Sequence, residues 1–179
     1  MTKKYLAAAL VIVILIGGAV VLFVAHKHAN ESKIHYGLST KPCQIFTSSN
    51  AFFLMGPTAA KSPTSDKVTT EKHIRTAACS FTQLGAKQGN DKLTGSLVYK
   101  TPNSKHGIKQ IKEDFNSAKP KNADKVTAYG DDGYWDPSKG VLQVYKHSTW
   151  YTITYGQLDP ANRNLSKTEE LADLVLAKL

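Results

Sequence analysis

The chain has 179 residues, 41% of them apolar, and a formal net charge of +9. Setting aside a hydrophobic N-terminus leaves about 150 residues, the size of one domain, which excludes a second globular domain of ordinary size. The basic balance excludes no partner by itself. Nucleic acid, anionic lipid headgroups and an acidic cell-wall polymer all remain open beside a merely solvated surface, with nucleic acid the least expected of them.

Tyr5 to Ala25 is a run of 21 residues without a charged side chain. At 1.5 Å rise per residue a helix of that length spans roughly 30 Å, the thickness of a bilayer's hydrocarbon core. A cleaved signal peptide has a shorter apolar run and a small-x-small site. Here Phe23 stands at the −3 position before Ala25, and Gly17-Gly18-Ala19 is followed by six more apolar residues. The run is therefore expected to be an uncleaved, single-pass signal anchor. Residues 1–4 would be a cytoplasmic tail and residues 26–41, polar and aperiodic, a stalk. Lys3 and Lys4 face Lys27 and Lys33 across the run, nearly a tie by the positive-inside rule. His26 and His28 read as headgroup-level residues.

Cys43 and Cys79 are the only cysteines, and neither sits in a CxxC. A bridge between them would close a loop of about 37 residues and contribute roughly 3–4 kcal/mol in the chain-entropy model. Such bridges persist outside the cytoplasm, whereas two buried thiols are the alternative.

Along residues 42–179 the first element is a short helix. Thr47 or Ser48 caps it, Ala51–Met55 form its body and Gly56-Pro57 stops it. The stretch from Thr58 to Thr70 reads as an exposed loop. From Ile74 the residues alternate in strand fashion to Gln83, Gly85–Asp91 supplies a turn, and KLTGSLVYKT returns as an antiparallel partner. A helix is predicted over about Asn103–Ala118, with Ile108, Ile111, Phe115 and Ala118 on its buried stripe and Lys105, Lys109 and Lys112 on a basic face. KVTAYG, GYWD, VLQVYK and TWYTITYG then read as a meander, with turns at Asp136–Gly140 and Lys146–Thr149. The last helix has Ser166 and Glu169 as a capping box and Leu171, Leu174, Val175 and Leu179 as its core stripe. The fold class is α+β: an antiparallel sheet with helices packed against it, preceded by one N-terminal transmembrane helix.

There is no Gly-rich phosphate loop, HExxH, GxSxG or SxxK, and no cofactor signature. Asp131, Asp132 and Asp136 lack EF-hand spacing and read as turn residues. Glu113 and Asp114 are adjacent on a helix and point apart, and the six histidines are scattered, with none paired to a plausible Ser or Cys nucleophile. No catalytic or metal residues are assigned. Tyr134, Trp135, Trp150, Tyr151 and Tyr155 are the densest aromatic group. They suit either an apolar groove that stacks on a ligand or, as strand aromatics usually do, the core. Asn30 and Asn164 lie in glycosylation-type triplets of little weight.

CQIFTSSNAFFLMG resembles the Cys-led short helix of small actinobacterial-type surface lipoprotein domains. AACSFT resembles the strand with their second cysteine, YGDDGYWDPSKGVLQVYKHSTWYTITYG their Tyr-Trp segment and following strands, and ELADLVLAKL their closing helix. The resemblance implies a fold similar to the P-subunit of the photosystem II oxygen-evolving complex, a Cys43–Cys79 bridge, an extracytoplasmic location and no catalytic apparatus. Two departures stand out: an apolar anchor in place of a lipidated Cys, and Gly133 where Ala is usual. The expected function is a membrane-tethered, non-enzymatic domain binding a ligand or partner at the bacterial cell surface. A structural or assembly subunit recruited through the membrane helix is the alternative from another class, Gly17-Gly18 permitting close helix approach. A cryptic cell-envelope hydrolase is a third.

Overall fold

The computed structural model describes residues 41–85 and 92–179. The chain divides between His35 and Tyr36, and every described residue belongs to the unit Tyr36–Leu179. The expected anchor Tyr5–Ala25, the tail, nearly all of the stalk and most of the Gly85–Asp91 turn lie outside the described residues. None of the described helices is long and apolar enough to cross a membrane.

The chain runs α1 (Pro42–Ile45), α2 (Ser48–Met55), β1 (Ala59–Lys61), β2 (Val68–Glu71), β3 (Ile74–Gln83), β4 (Leu93–Pro102), α3 (Lys105–Ala118), β5 (Asp124–Lys125), β6 (Asp132–Asp136), β7 (Val141–Lys146), β8 (Thr149–Gln157), a 3-10 turn (Pro160–Asn162) and α4 (Leu165–Leu176). The strands form one antiparallel sheet in the order β1-β3-β4-β8-β7-β6-β5, with β2 also on the outer edge of β3. This is the expected α+β arrangement.

Strict alternation on the long strands gives the sheet two apolar faces. One row of register partners crosses five strands: Cys79, Leu97, Ile153, Leu142 and Trp135. That face packs on Ile45, Phe46, Ala51 and Met55 of the α1–α2 corner and on Leu171, Ala172, Val175 and Leu176 of α4. The opposite face carries Ile74, Tyr134, Tyr145 and Trp150 under Ile111 and Phe115 of α3. Helices thus cover both faces, and Cys43 in α1 is bridged to Cys79 in β3, with 5.1 Å between their Cα atoms. The bridge fastens the first helix to the middle of the sheet.

Several local expectations are corrected. The segment Thr58–Thr70 holds β1 and most of β2. All four β2 residues are exposed, so no apolar periodicity marks the strand, yet its backbone pairs with Ile74–Ala77. Of KVTAYG only Lys125 is in the ladder, beside Asp124 just before the run. There Val126 turns inward, and its N–H donates to the Gly133 carbonyl at 3.0 Å. A Cβ on Gly133 would sit 2.7 Å from the Val126 carbonyl oxygen, so this position admits no Ala without a shift. The cap of α4 is Asn164, whose Oδ1 accepts from Lys167 N at 2.9 Å, and Ser166 lies inside the helix. Ala172 and Leu176 replace Leu174 and Leu179 on its fully buried stripe. On α3, Gly107, Ile111 and Phe115 are buried while Ala118 is exposed. The Gly107 Cα faces the His73 carbonyl so closely that a Cβ would overlap it.

Candidate functional site

The five aromatics singled out in the sequence are all buried, with Trp150 the most exposed at 8%. Alternation on β6 and β8 sends them to opposite faces. Tyr134 and Trp150 surround Phe115 beneath α3, with ring centroids 5.2 Å and 5.8 Å from it. The Trp150 indole N–H donates to Gln143 Oε1 at 2.6 Å, which satisfies its polar edge inside the core. Trp135, Tyr151 and Tyr155 belong to the other core. The group is therefore framework on both sides of the sheet, not one stacking surface. Burial pushes the Tyr134 and Tyr151 hydroxyls up to about 12.

Tyr155 borders a cleft. Its hydroxyl donates to the Leu54 carbonyl at 2.6 Å, tying β8 to the C-terminal turn of α2. Burial raises its pKa, and the Glu170 carboxylate adds to that. Beside this bond lies a half-open cleft of about 420 Å³, walled by Leu54 and Leu93, floored by Tyr155 and Gly156 and rimmed by Gln157, Asn162, Arg163, Asn164 and Lys167. Its size falls within the roughly 300–1,000 Å³ of small-molecule sites. The cations at the mouth are engaged. Arg163 donates from Nε to the Gln157 carbonyl at 2.7 Å and from Nη2 to the Leu158 carbonyl at 2.8 Å. Burial holds its guanidinium below its usual value, Asp159 opposing that. The Lys167 ammonium bonds Glu170 Oε1 at 2.7 Å, which raises its pKa. What the cleft offers is an apolar interior with an amide-bearing rim. Five separate elements build it, α2, β4, β8, the 3-10 turn and α4, so no local sequence window contains it. The one signal was that Ala51–Met55 makes the second half of α2 apolar on every side.

The basic helix face is as expected in placement. Lys105, Lys109 and Lys112 are exposed on α3. Lys109 pairs with Glu113 at 3.7 Å, and the Lys112 ammonium lies 5.8 Å from the Tyr145 ring centroid. Lys100 and Lys119 stand over Trp150 and Tyr134 at 4.3 and 5.6 Å. These cations ring the outer edge of the Phe115 cluster.

One chemical pairing escaped the sequence. Ser104 Oγ lies 3.0 Å from His73 Nδ1, brought there by the β4–α3 turn, and the His73 ring stacks on His106 at 5.5 Å. Ser104 is, however, the N-cap of α3, its Oγ accepting from Gly107 N at 3.3 Å. The contact completes the helix start rather than building a nucleophile. The aspartates do not converge. Asp131 accepts from His147 N, Asp132 from Gly133 N, and Asp136 from Ser138 and Lys139 in its own turn. Among the described residues no group of three or more His, Cys, Asp or Glu is placed to hold a metal ion.

Compared with known proteins, the chain matches no family model, no curated protein and no solved structure.

Proposed function

We propose that the protein is a membrane-tethered, non-enzymatic binding domain at the cell surface, and that its ligand or partner places an apolar group in the cleft beside Tyr155. The cleft carries this reading: it joins Leu54 and Leu93 to a rim of side-chain amides, without a nucleophile–base pair beside it. The disulfide supports an extracytoplasmic setting, since such bridges persist there. The pairing of these two cysteines is also what kinship with the surface lipoprotein domains implies, and that kinship, with its P-subunit-like fold, is part of the proposal.

Two experiments test it. An anilinonaphthalenesulfonate dye should brighten on binding the wild type, and Leu93→Trp, which fills the cleft from its wall, should abolish the signal while leaving the melting temperature nearly unchanged. Dye binding indifferent to that change would sink the cleft as the site. A membrane-impermeant maleimide should label intact cells only after mild reduction. Labelling that needs lysis but no reduction would place the domain in the cytoplasm with free thiols.

A second reading rests on the lysines around α3. An acidic envelope polymer would bind there with an affinity that falls steeply with salt, and salt-insensitive binding would exclude it.

A further inference from the structure

Among the described residues, five large apolar side chains are more than half exposed: Phe52 at 59%, Phe53 at 78%, Val68 at 56%, Leu84 at 54% and Leu158 at 55%. Four of them gather at one end of the sheet. Gln83 Nε2 donates to the Met55 carbonyl and Tyr155 Oη to the Leu54 carbonyl, which fixes the end of α2 beside the ends of β3 and β8. Leu84 N donates to the Thr58 carbonyl and Leu158 N to the Lys92 carbonyl, which closes the same rim. A helix apolar on its outer as well as its inner side needs a second apolar phase against it. Isolated exposed apolar residues need no explanation, but a set gathered on one rim does.

We infer that this rim, led by Phe52 and Phe53, seats in the interfacial layer of the membrane that holds the chain. Three observations favour a lipid surface as the occupant. Aromatic side chains on a short exposed helix are suited to the headgroup layer, where Phe and Leu reach the acyl boundary. The cations Lys92, Arg163 and Lys167 lie beside Leu158 and the cleft, against the carboxylates of Asp159 and Glu170. The chain also enters the described fold at Lys41, immediately before the α1–α2 corner that bears Phe52 and Phe53. Only 15 residues separate Ala25 from Lys41, so an anchor at Tyr5–Ala25 keeps the domain near the bilayer and a weak rim suffices to hold it there. The inference rests on the reading of Tyr5–Ala25 as an anchor.

The test uses the full chain in vesicles of phosphatidylcholine and phosphatidylglycerol. Phe53→Trp places a reporter on the rim, with buried Trp135 and Trp150 as a background subtracted from the wild type, and Val68→Trp on β2 is the control away from the rim. The Phe53→Trp emission should shift to the blue and lose most of its intensity to lipids brominated near the headgroup, while Val68→Trp stays water-exposed. Matching behaviour of the two variants overturns the inference. So does a Phe53→Trp signal shielded from acrylamide but untouched by brominated lipid, which would mean that a protein covers the rim. Resistance of the same vesicles to an alkaline carbonate wash reports the anchor separately. If the wash strips the protein, the anchor reading fails while the emission still reports whether the rim meets lipid.

Discussion

Removing the Cys43–Cys79 bridge is the sharpest perturbation of the folded unit. The bridge spans 36 positions of chain. In the chain-entropy model its loss frees the unfolded state by about 3–4 kcal/mol. The native state suffers too, because Cys79 has no exposed surface and packs in the larger core, so replacing both sulfurs by Cβ hydrogens leaves a small void costing about 1 kcal/mol. Cys43→Ala/Cys79→Ala should therefore lose about 4–5 kcal/mol, a large share of the 5–15 kcal/mol that a domain commands. For a unit of this size that corresponds to a melting temperature lower by about 12–18 °C. Urea unfolding of Tyr36–Leu179, followed by tryptophan fluorescence, measures both the midpoint and the slope. The slope should rise, because an unbridged denatured chain exposes more surface. Adding reductant to the wild type should reproduce most of the change. A loss under about 1 kcal/mol with an unchanged slope would refute the reasoning, since it would mean that the loop from α1 to β3 is constrained as tightly without the bond.

Other consequences follow from the same geometry. Burial alone would raise the Asp136 pKa. The Ser138 hydroxyl, the Lys139 ammonium and the Lys139 backbone N–H together hold it below the ordinary carboxylate value. Its contribution is therefore present above about pH 4 and lost as the pH falls further, and Asp136→Asn should flatten that acid limb of a stability–pH curve. At the alkaline end, Tyr134 and Tyr151 ionise in the fold only near 12. Stability should thus fall between the ordinary tyrosine pKa of about 10 and that value, with phenolate absorbance at 295 nm rising late and together with unfolding. Gly107→Ala should destabilise by about 1–3 kcal/mol although Ala is the better helix former, because its Cβ meets the His73 carbonyl; a stabilised variant in thermal melts would disprove the close approach.

The sheet was legible where one strand carries the signal by itself. Residues 74–83 alternate because one face is core and the other is half open, so the pattern survives without knowledge of any neighbour. β1 and β2 were not legible, because they are edge strands held by backbone bonds to β3 and bury no side-chain row. The short extent of β5 was hidden for a related reason: it is an edge strand of two exposed residues held by backbone bonds to β6. The α4 cap was misplaced because Ser166 and Glu169 imitate a helix start that Asn164 already caps two residues earlier. Of the site, the aromatics were visible as a set, but their division between two faces needs the register of β6 against β7 and β8. The cleft needs α2, β4, β8, the 3-10 turn and α4 together, and the apolar run Phe52-Phe53-Leu54 is its one local trace.

Among the described residues, polar and apolar surface are arranged in opposite ways. Polar groups that could act are bonded into the framework: Ser104 caps α3, Asn164 caps α4, Asp136 closes the β6–β7 turn, and Arg163 and the Tyr155 hydroxyl hold backbone carbonyls. A group committed in this way costs about 1–3 kcal/mol to withdraw if it is left buried without its partner. The apolar surface is arranged in the opposite manner. Leu54 and Leu93 wall an open cleft, and Phe53 and Leu158, chain neighbours of Leu54 and Gln157, extend that apolar character to the outside. Leu54 and Leu93 are partly buried against the core, so the transfer free energy left for an apolar partner to recover is greatest at Phe53 and Leu158, and is a fraction of the roughly 1.5–3 kcal/mol of a fully buried side chain. The free energy still available to the domain is therefore concentrated at one end of the sheet, and it is of the kind that drives association.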